Sequence, residues 1–455
     1  MLKKNEEIAV TIESCTSLGS GVAHFDGMAV FAANTAPGDH VLLHIIKSKP
    51  KYAVGKVVKV IHPSKMRTQP ECPVYSRCGG CAFGHIRYED ELEIKYNQVR
   101  DNLQRIGSLD IEPDEIIPSV SVSRYRNKAQ YPVRADDNHN VEIGFYAPHS
   151  HRVIDCSDCL LQPEDFRSIT AVIREWIRDN KISVYDEAKG KGLIRHIYLR
   201  KAISTGEIMV CIVINGNDLP QKDELINRLT AENKNIASIL LNINMKETNV
   251  VLGEECRTIY GKDFITDILC GLKFNISPLS FYQVNHDTAE LLYGKAAEFA
   301  GLTGKETVID LYCGTGTIGL TMAHKAKNII GVEIVPQAVE NAVKNAELNG
   351  ISNARFICGD ASQAALKLKE ENIKPDVVIV DPPRKGCSEE LLKTINDMAP
   401  GRIVYVSCDS ATLARDCKIL SQFGYEVKKA VPVDMFPRAP HVETVVRLSR
   451  SDMNS

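Results

Sequence analysis

Nothing in this 455-residue chain approaches the uninterrupted apolar run of roughly 18 residues that a membrane-spanning helix needs. The first residues, MLKKNEEIAV, have no apolar signal core. Internal repeats and low-complexity segments are absent as well, which argues against solenoid and fibrous architectures. A large charge of one sign is also missing: 55 Lys and Arg stand against 58 Asp and Glu, for a net charge of −3. No global field therefore points to a nucleic-acid partner. These absences lead to the expectation of a cytoplasmic protein with no membrane association. In that compartment its 14 cysteines stay reduced, so cysteine clusters read as metal or catalytic sites before disulfides.

What is present is the balance of an ordinary globular protein, 44% hydrophobic and 25% charged, long enough for two or three domains. Three textures follow one another. Residues 1–63 hold short β-type segments such as GVAHF, MAVFA and HVLLHIIK, punctuated by Gly19, Gly21, Gly27 and Pro37-Gly38. That spacing predicts a small barrel. Residues 1–70 carry nine Lys or Arg against five acids, a local positive excess that suits RNA and a solvated surface about equally. Residues 64–265 mix a cysteine cluster, a charged helical stretch (YEDELEIKYNQVRDNLQRIG) and strand-like pieces, predicting an α+β domain. Residues 266–455 alternate apolar runs (TVIDLY, NIIGVEI, DVVIVDPP, RIVYVSCD) with helical stretches. This predicts a parallel, doubly wound α/β sheet ending in an antiparallel hairpin.

The first strand of that sheet leads into Gly314-Thr315-Gly316-Thr317-Ile318-Gly319, a G-x-G-x-x-G loop. Glu333 ends the next strand, placed to accept from ribose hydroxyls. An NAD fold and an S-adenosylmethionine fold would both want that acid. Later strand ends separate them. One finishes in Cys358-Gly359-Asp360, where a carboxylate can meet an adenine amino group, and another in Asp381-Pro382-Pro383-Arg384, a stiff acidic turn. A methyltransferase holding a planar base or a sulfonium has a use for that turn; a dehydrogenase has none that is evident.

Three cysteines stand at strand ends here. Cys313 reads as packing, and Cys387 as part of a surface loop with no base nearby. Cys408 ends an apolar strand at the face where such sheets bind ligands, and taken alone it reads as a buried strand-end thiol. Glu443, opening the last strand after the proline-bracketed turn at 436–440, alters the balance. A thiol and a carboxylate beside a methyl donor suit methylation of a pyrimidine at carbon 5. A thiolate adding at carbon 6 makes carbon 5 nucleophilic, and a base then removes the carbon-5 proton. Cys408 and Glu443 would fill these roles on a base taken out of its stack. Asp409 is a candidate N-cap for the helix that follows.

Taken together, Ser280-Phe281-Tyr282-Gln283-Val284-Asn285, the Tyr312 loop, Asp381-Pro382-Pro383-Arg384, Ser407-Cys408-Asp409 and His441-Val442-Glu443 resemble the RNA 5-methyluridine methyltransferases along essentially the whole chain. The resemblance implies a Rossmann-like methyltransferase domain that binds S-adenosylmethionine through Gln283, Tyr312, Glu333 and Asp381. It implies Cys408 as nucleophile and Glu443 as base, and assigns Thr317 no role. The N-terminal barrel resembles a TRAM domain, an OB-like RNA-binding module. The branch of the family carrying these elements implies 23S ribosomal RNA as the substrate, with transfer RNA as the alternative.

Cys72, Cys78 and Cys81 stand as C-x5-C-x2-C, with Cys156 and Cys159 downstream. By spacing alone, Cys78, Cys81, Cys156 and Cys159 would make a four-thiolate zinc site, or Cys72, Cys78, Cys81 and one distant cysteine would hold a [4Fe–4S] cluster. The resemblance points to the cluster, with Cys159 as the fourth ligand. Arg126 and Lys128, in an aromatic-basic stretch at 124–128, are candidate RNA contacts. Two other classes remain open at this point: an NAD-type Fe–S oxidoreductase and a non-catalytic RNA-binding protein.

Overall fold

The computed structural model describes residues 2–136, 138 and 140–451. The glycine-punctuated start forms β1 (Glu7–Thr11), β2 (Ser14–Cys15), β3 (Gly21–Phe25), β4 (Met28–Ala32), β5 (His40–Ser48) and β6 (Tyr52–His62), in the order β1-β5-β6-β4-β3-β2. β1 pairs with β5 at one edge and β2 with β3 at the other. Because β1 and β2 are nearly continuous in the chain, one bent strand closes the sheet on itself. Alternate side chains, among them Val10, Val30, Leu43 and Ala53, point inward and are buried. Gly21 lies where a Cβ would stand 2.8 Å from Ile12 Cγ2, so the barrel wall leaves no room for a side chain there.

The charged stretch is α1 (Tyr88–Arg105), with Glu89, Asp90 and Glu91 in its first turn and Arg105 in its last, both matched to the helix dipole. Its buried Val99 and Leu103 pack in the same core as the strands of the C-terminal sheet. The central sheet contains β7 (Lys128–Ala135), β8 (Val141–Tyr146), β9 (Val153–Asp155), β10 (Ile194–Lys201), β11 (Ile208–Ile214), β12 (Ile236–Ile243) and β13 (Glu255–Gly261), in the order β13-β12-β11-β10-β7-β8-β9. α2 (Asp165–Asp179) packs on it, and α3 (Lys222–Glu232) makes the crossover between the parallel pair β11 and β12.

A hairpin of β14 (Ile265–Leu269) and β15 (Leu272–Ile276) leads to α4 (His286–Ala300) and the last sheet. There β16 (Thr307–Leu311), α5 (Thr317–Thr321), β17 (Asn328–Glu333), α6 (Pro336–Leu348), β18 (Ala354–Cys358), α7 (Ala361–Glu370), β19 (Val377–Val380), α8 (Glu389–Met398) and β20 (Arg402–Ser407) alternate as expected. α9 (Ser410–Gln422), β21 (Tyr425–Val433) and β22 (Glu443–Arg450) complete it. The strand order is β18-β17-β16-β19-β20-β22-β21: five parallel strands, then β22 antiparallel to both of its neighbours. The order reverses between β16 and β19, which opens a crevice at their carboxyl ends. Among the described residues no helix is long and apolar enough to cross a membrane.

β10 and β11 are buried on both faces and join the units. One face puts Ile197, Leu199, Val210 and Ile212 into a core with Trp176 of α2. The other puts Tyr198, Met209 and Cys211 into a core with Phe274, Tyr282 and Leu292. The two units that frame the crevice thus share a core. Trp176, the only tryptophan in the chain, is a built-in reporter on it. Ile173→Ala, in the same cluster as Trp176, should destabilise the protein by about 2–5 kcal/mol. Urea unfolding followed by Trp176 fluorescence measures this, and a change below the range would show that α2 contributes little to the shared core.

Candidate active site

Each site element grows from a strand end at the crevice. β16 runs into Tyr312, whose φ of 64° is left-handed for a non-glycine residue, and then Gly314 and Gly316 at φ 57° and 82°. At Gly316 a Cβ would stand 3.1 Å from both Leu320 and Phe356, so the third strand's aromatic fits only against bare backbone. Asp310 Oδ2 accepts from Gly319 N at 2.9 Å and holds the loop to its own strand. Burial raises the Asp310 carboxyl to about 7, against the pull of that N–H. Its sequence signal, an acid inside the apolar run TVIDLY, was available but unused. Glu333 accepts from Gly314 N (3.1 Å) and Val335 N (2.9 Å), tying the second strand end to the loop.

Asp360 lines the same crevice while its Oδ1 caps α7, accepting from Ser362 N at 2.9 Å and Gln363 N at 3.3 Å. Thr317, given no role by the sequence, bonds Tyr293 through its hydroxyl at 3.2 Å. The Gln283 loop is pinned from outside, with Asn127 Nδ2 donating to Gln283 O at 2.9 Å and Arg200 Nη1 to Ser280 O at 2.9 Å.

Cys408 and Glu443 meet because β20 and β22 are neighbours. Ser407 is paired with Thr444, and the next step along each strand brings Cys408 beside Glu443. Asp409 caps α9, accepting from Ala411 N and Thr412 N at 3.0 Å each. The thiol therefore sits between a buried strand and a fixed helix start. Cys387 departs from expectation: it is buried rather than in a surface loop. Its N–H donates to Asp416 Oδ2 at 2.8 Å, the oxygen that Tyr405 OH also reaches at 2.6 Å. Asp416 of α9 thus anchors the turn that begins at Asp381.

The β21–β22 connection is held from below by α1. Lys95 Nζ, fully buried, donates to Glu91 Oε1 and Asp434 Oδ1 at 2.7 Å each and to Phe436 O at 3.1 Å. Tyr88 OH donates to Asp434 Oδ2 at 2.8 Å, and Arg438 N to Glu91 Oε1 at 2.8 Å. No sequence pattern marked this cluster, whose two halves, on α1 and after β21, lie more than 300 positions apart.

Gln283, Tyr312, Glu333, Asp381, Cys408 and Glu443 all line one cavity of about 1,310 Å³, together with Arg126 and Lys128. Two exposed apolar side chains stand at its walls, Phe281 (67% exposed) and Leu18 of the barrel (75%). The lining carries both signs, with Glu333, Asp360, Asp381 and Glu443 against Arg126, Lys128, Arg384 and Lys385. Burial lifts Asp381 to about 7, and burial together with Asp381 lifts Glu443 to about 8. Burial, then Glu443 and Asp381, push the Cys408 thiol to about 11, with Arg384 opposing. A cation bound beside these three groups would draw them toward their charged forms. Burial, then Arg200 and Arg126, lower Lys128 to about 8.

Arg126 and Lys128 also border a second cavity, of about 600 Å³, lined by Cys72, Cys78, Cys81, Cys156 and Cys159. Burial raises the Cys81 thiol to about 12, with Cys159, Cys78 and Cys72 adding to it, so these sulfurs are electrostatic neighbours. Among the described residues no group of three or more His, Cys, Asp or Glu side chains is spaced to hold a metal ion.

Fold and site define the class: an RNA methyltransferase built on the S-adenosylmethionine-dependent methyltransferase fold, with a TRAM domain matched at residues 2–58. The profile of the tRNA (uracil-5-)-methyltransferases matches residues 87–451, and the chain belongs to that family. It is 45% identical to an uncharacterized RNA methyltransferase of Clostridium tetani, over 98% of this chain and 97% of the relative. A second such relative, from Clostridium acetobutylicum, is also 45% identical, over 99% and 98%. The crystal structure of Pyrococcus abyssi tRNA (uracil-54, C5)-methyltransferase in complex with S-adenosyl-L-homocysteine superposes with a TM-score of 0.80 at 29% identity, covering 97% of this chain and 100% of that one. The oxidoreductase and non-catalytic alternatives fall with this membership.

Glu443→Gln removes one of the charges that hold the Cys408 thiol up. Its thiolate fraction at pH 8 should rise, and iodoacetamide labelling of Cys408, followed by peptide mass spectrometry across pH, should shift to lower pH. An unchanged profile would show that burial alone sets the thiol.

Proposed function

We propose that the protein methylates carbon 5 of uridine in RNA with S-adenosylmethionine as donor, acting on 23S ribosomal RNA. The observation that carries this is the pairing of Cys408 with Glu443 in one cavity with Gln283, Tyr312, Glu333 and Asp381. The residues suit a cationic donor: Asp381 and Glu443 stand in the same cavity as Glu333, and at Gly314 a Cβ would meet nothing within 4 Å, leaving open approach to backbone. Gln283, Tyr312, Glu333 and Asp381 would hold S-adenosylmethionine, which supplies the methyl group when bound.

Cys408 adds as thiolate to carbon 6 of a flipped uracil, making carbon 5 nucleophilic toward the methyl group. Glu443, as carboxylate, takes the carbon-5 proton. The electron pair left at carbon 5 restores the 5,6 double bond, and the Cys408 thiolate leaves. Glu443 must be ionised to act, so kcat/KM, which reports the free enzyme, should rise as pH passes through about 8. Asp381, which lines the same cavity, would also address the uracil.

Cys72, Cys78, Cys81 and Cys159 would supply four thiolates to a [4Fe–4S] cluster; they share a cavity with Cys156, and the sulfurs would have to draw together to hold it. Methyl transfer needs no redox step, so the cluster would staple the fold or dock RNA. Ribosomal RNA is supported by the combination of TRAM barrel and cysteine cavity; transfer RNA is the second reading, favoured by the activity in the name of the Pyrococcus abyssi relative.

Cys408→Ala should lose methyl transfer by at least about 10³-fold, and Glu443→Gln should accumulate a covalent enzyme–RNA adduct, read as a retarded band on a denaturing gel. Full transfer by Cys408→Ala would remove it as nucleophile. Mapping 5-methyluridine in cells lacking the protein should show its loss from 23S ribosomal RNA; loss from transfer RNA alone would move the substrate there. Anaerobically purified protein should carry iron and sulfide, whereas stoichiometric zinc without iron would overturn the cluster.

A further inference from the structure

Behind Cys408 lies a cavity of about 680 Å³ between the barrel, α1 and the start of α9. It shares Leu18, Arg384, Cys408 and His441 with the active-site cavity, so the two are neighbouring chambers with a common rim. On that rim Arg384 Nη2 donates to His441 Nε2 at 3.3 Å, and Arg384 is exposed.

The inner wall is one face of α1, carrying Ile94, Asn97, Gln98, Asp101 and Arg105 at helical spacing. Asn97 and Gln98 are half-buried, and neither side chain has a hydrogen-bond partner among the described residues. Each primary amide offers a donor and an acceptor together, as the edge of a nucleobase does. Met66 and Ile94 add apolar surface. Four acids, Glu13, Glu93, Asp101 and Asp409, line the chamber against Arg105 and Arg384. That balance disfavours phosphate inside and leaves the exposed Arg384 at the rim as the place for one.

We infer that this chamber is a base-recognition subsite for the nucleotide adjacent to the target uridine. The inference rests on the uridine-methylation reading for which base enters the first chamber. A flipped uridine leaves its sugar–phosphate backbone at the rim, where Arg384 takes the intervening phosphate. The neighbouring base, splayed away, enters between barrel and helix and pairs its edge with Asn97 and Gln98. The subsite would make α1 and the barrel jointly responsible for sequence preference beside the modified base.

The test uses the full-length protein and short single-stranded oligoribonucleotides with one central uridine, in which only a flanking base is varied or made abasic. Binding is followed by fluorescence anisotropy, with wild type and Asn97→Ala/Gln98→Ala compared. Wild type should distinguish the flanking bases on one side by about tenfold, the scale of one two-bond base contact, and the double variant by less than about twofold. An unchanged thermal midpoint in the variant, and Gln98→Ala as a milder substitution, separate lost contacts from lost folding. Equal discrimination by wild type and variant, or none by wild type, overturns the subsite. Methyl transfer to ribosomal RNA is scored separately. Its absence would count against uridine methylation while flanking-base discrimination still stood, and its presence without discrimination would count against the subsite alone.

Discussion

One buried ammonium holds the turn that leads to Glu443 in place. Lys95 lies wholly out of water between Glu91 of its own helix and Asp434 at the end of β21, 2.7 Å from each. Removing one partner from a buried ion cluster strands the others, at a cost of about 3–5 kcal/mol. Burial pushes the Glu91 carboxyl up to about 7 against the pull of Lys95, and Arg438 Nη1, 3.7 Å from Glu91 Oε2, brings a second cation to the cluster. Through Phe436 O and Arg438 N the cluster grips the backbone of the turn preceding His441 and Glu443. α1 is thereby tied to the C-terminal hairpin, and the barrel tip comes within reach of the same pocket.

The active pocket uses the opposite arrangement. Asp381, Glu443 and Cys408 share one cavity with Arg384 as their opposing charge, and burial raises each of them. A thiol at about 11 and a carboxyl at about 8 are poorly prepared for chemistry by themselves. A cation entering the cavity would lower both, and on the proposed reading donor binding and thiolate formation would be linked. The same site that discourages idle ionisation would complete itself when the donor is present.

Much of this was legible along the chain because the signals are local. The β16 glycine loop, the Asp381 turn, the Cys408 strand end and the Asp409 cap each depend on residues a few positions apart, and periodicity told the doubly wound sheet from the barrel. The buried place of Cys387 was not legible, since it depends on Asp416 from another helix. Nor was the placement of α1, whose charged sequence suggests a solvent helix but whose Lys95 and Glu91 are fully buried. Asp360 had two uses at a strand end, and helix capping took one of its oxygens.

The sequence alone determined the elements and the chemical vocabulary: strands from alternation, turns from glycine and proline, a thiol and a carboxylate at strand boundaries. Their adjacency was decided only by tertiary structure. β22 inserts between β20 and β21, which puts Glu443 next to Cys408 although 34 positions intervene. The physical reason is that a strand's side chains are specified locally, whereas its neighbour is chosen by which apolar faces can be buried together. Here the choice also rests on Lys95, which is stable in the interior only where both of its carboxylates arrive.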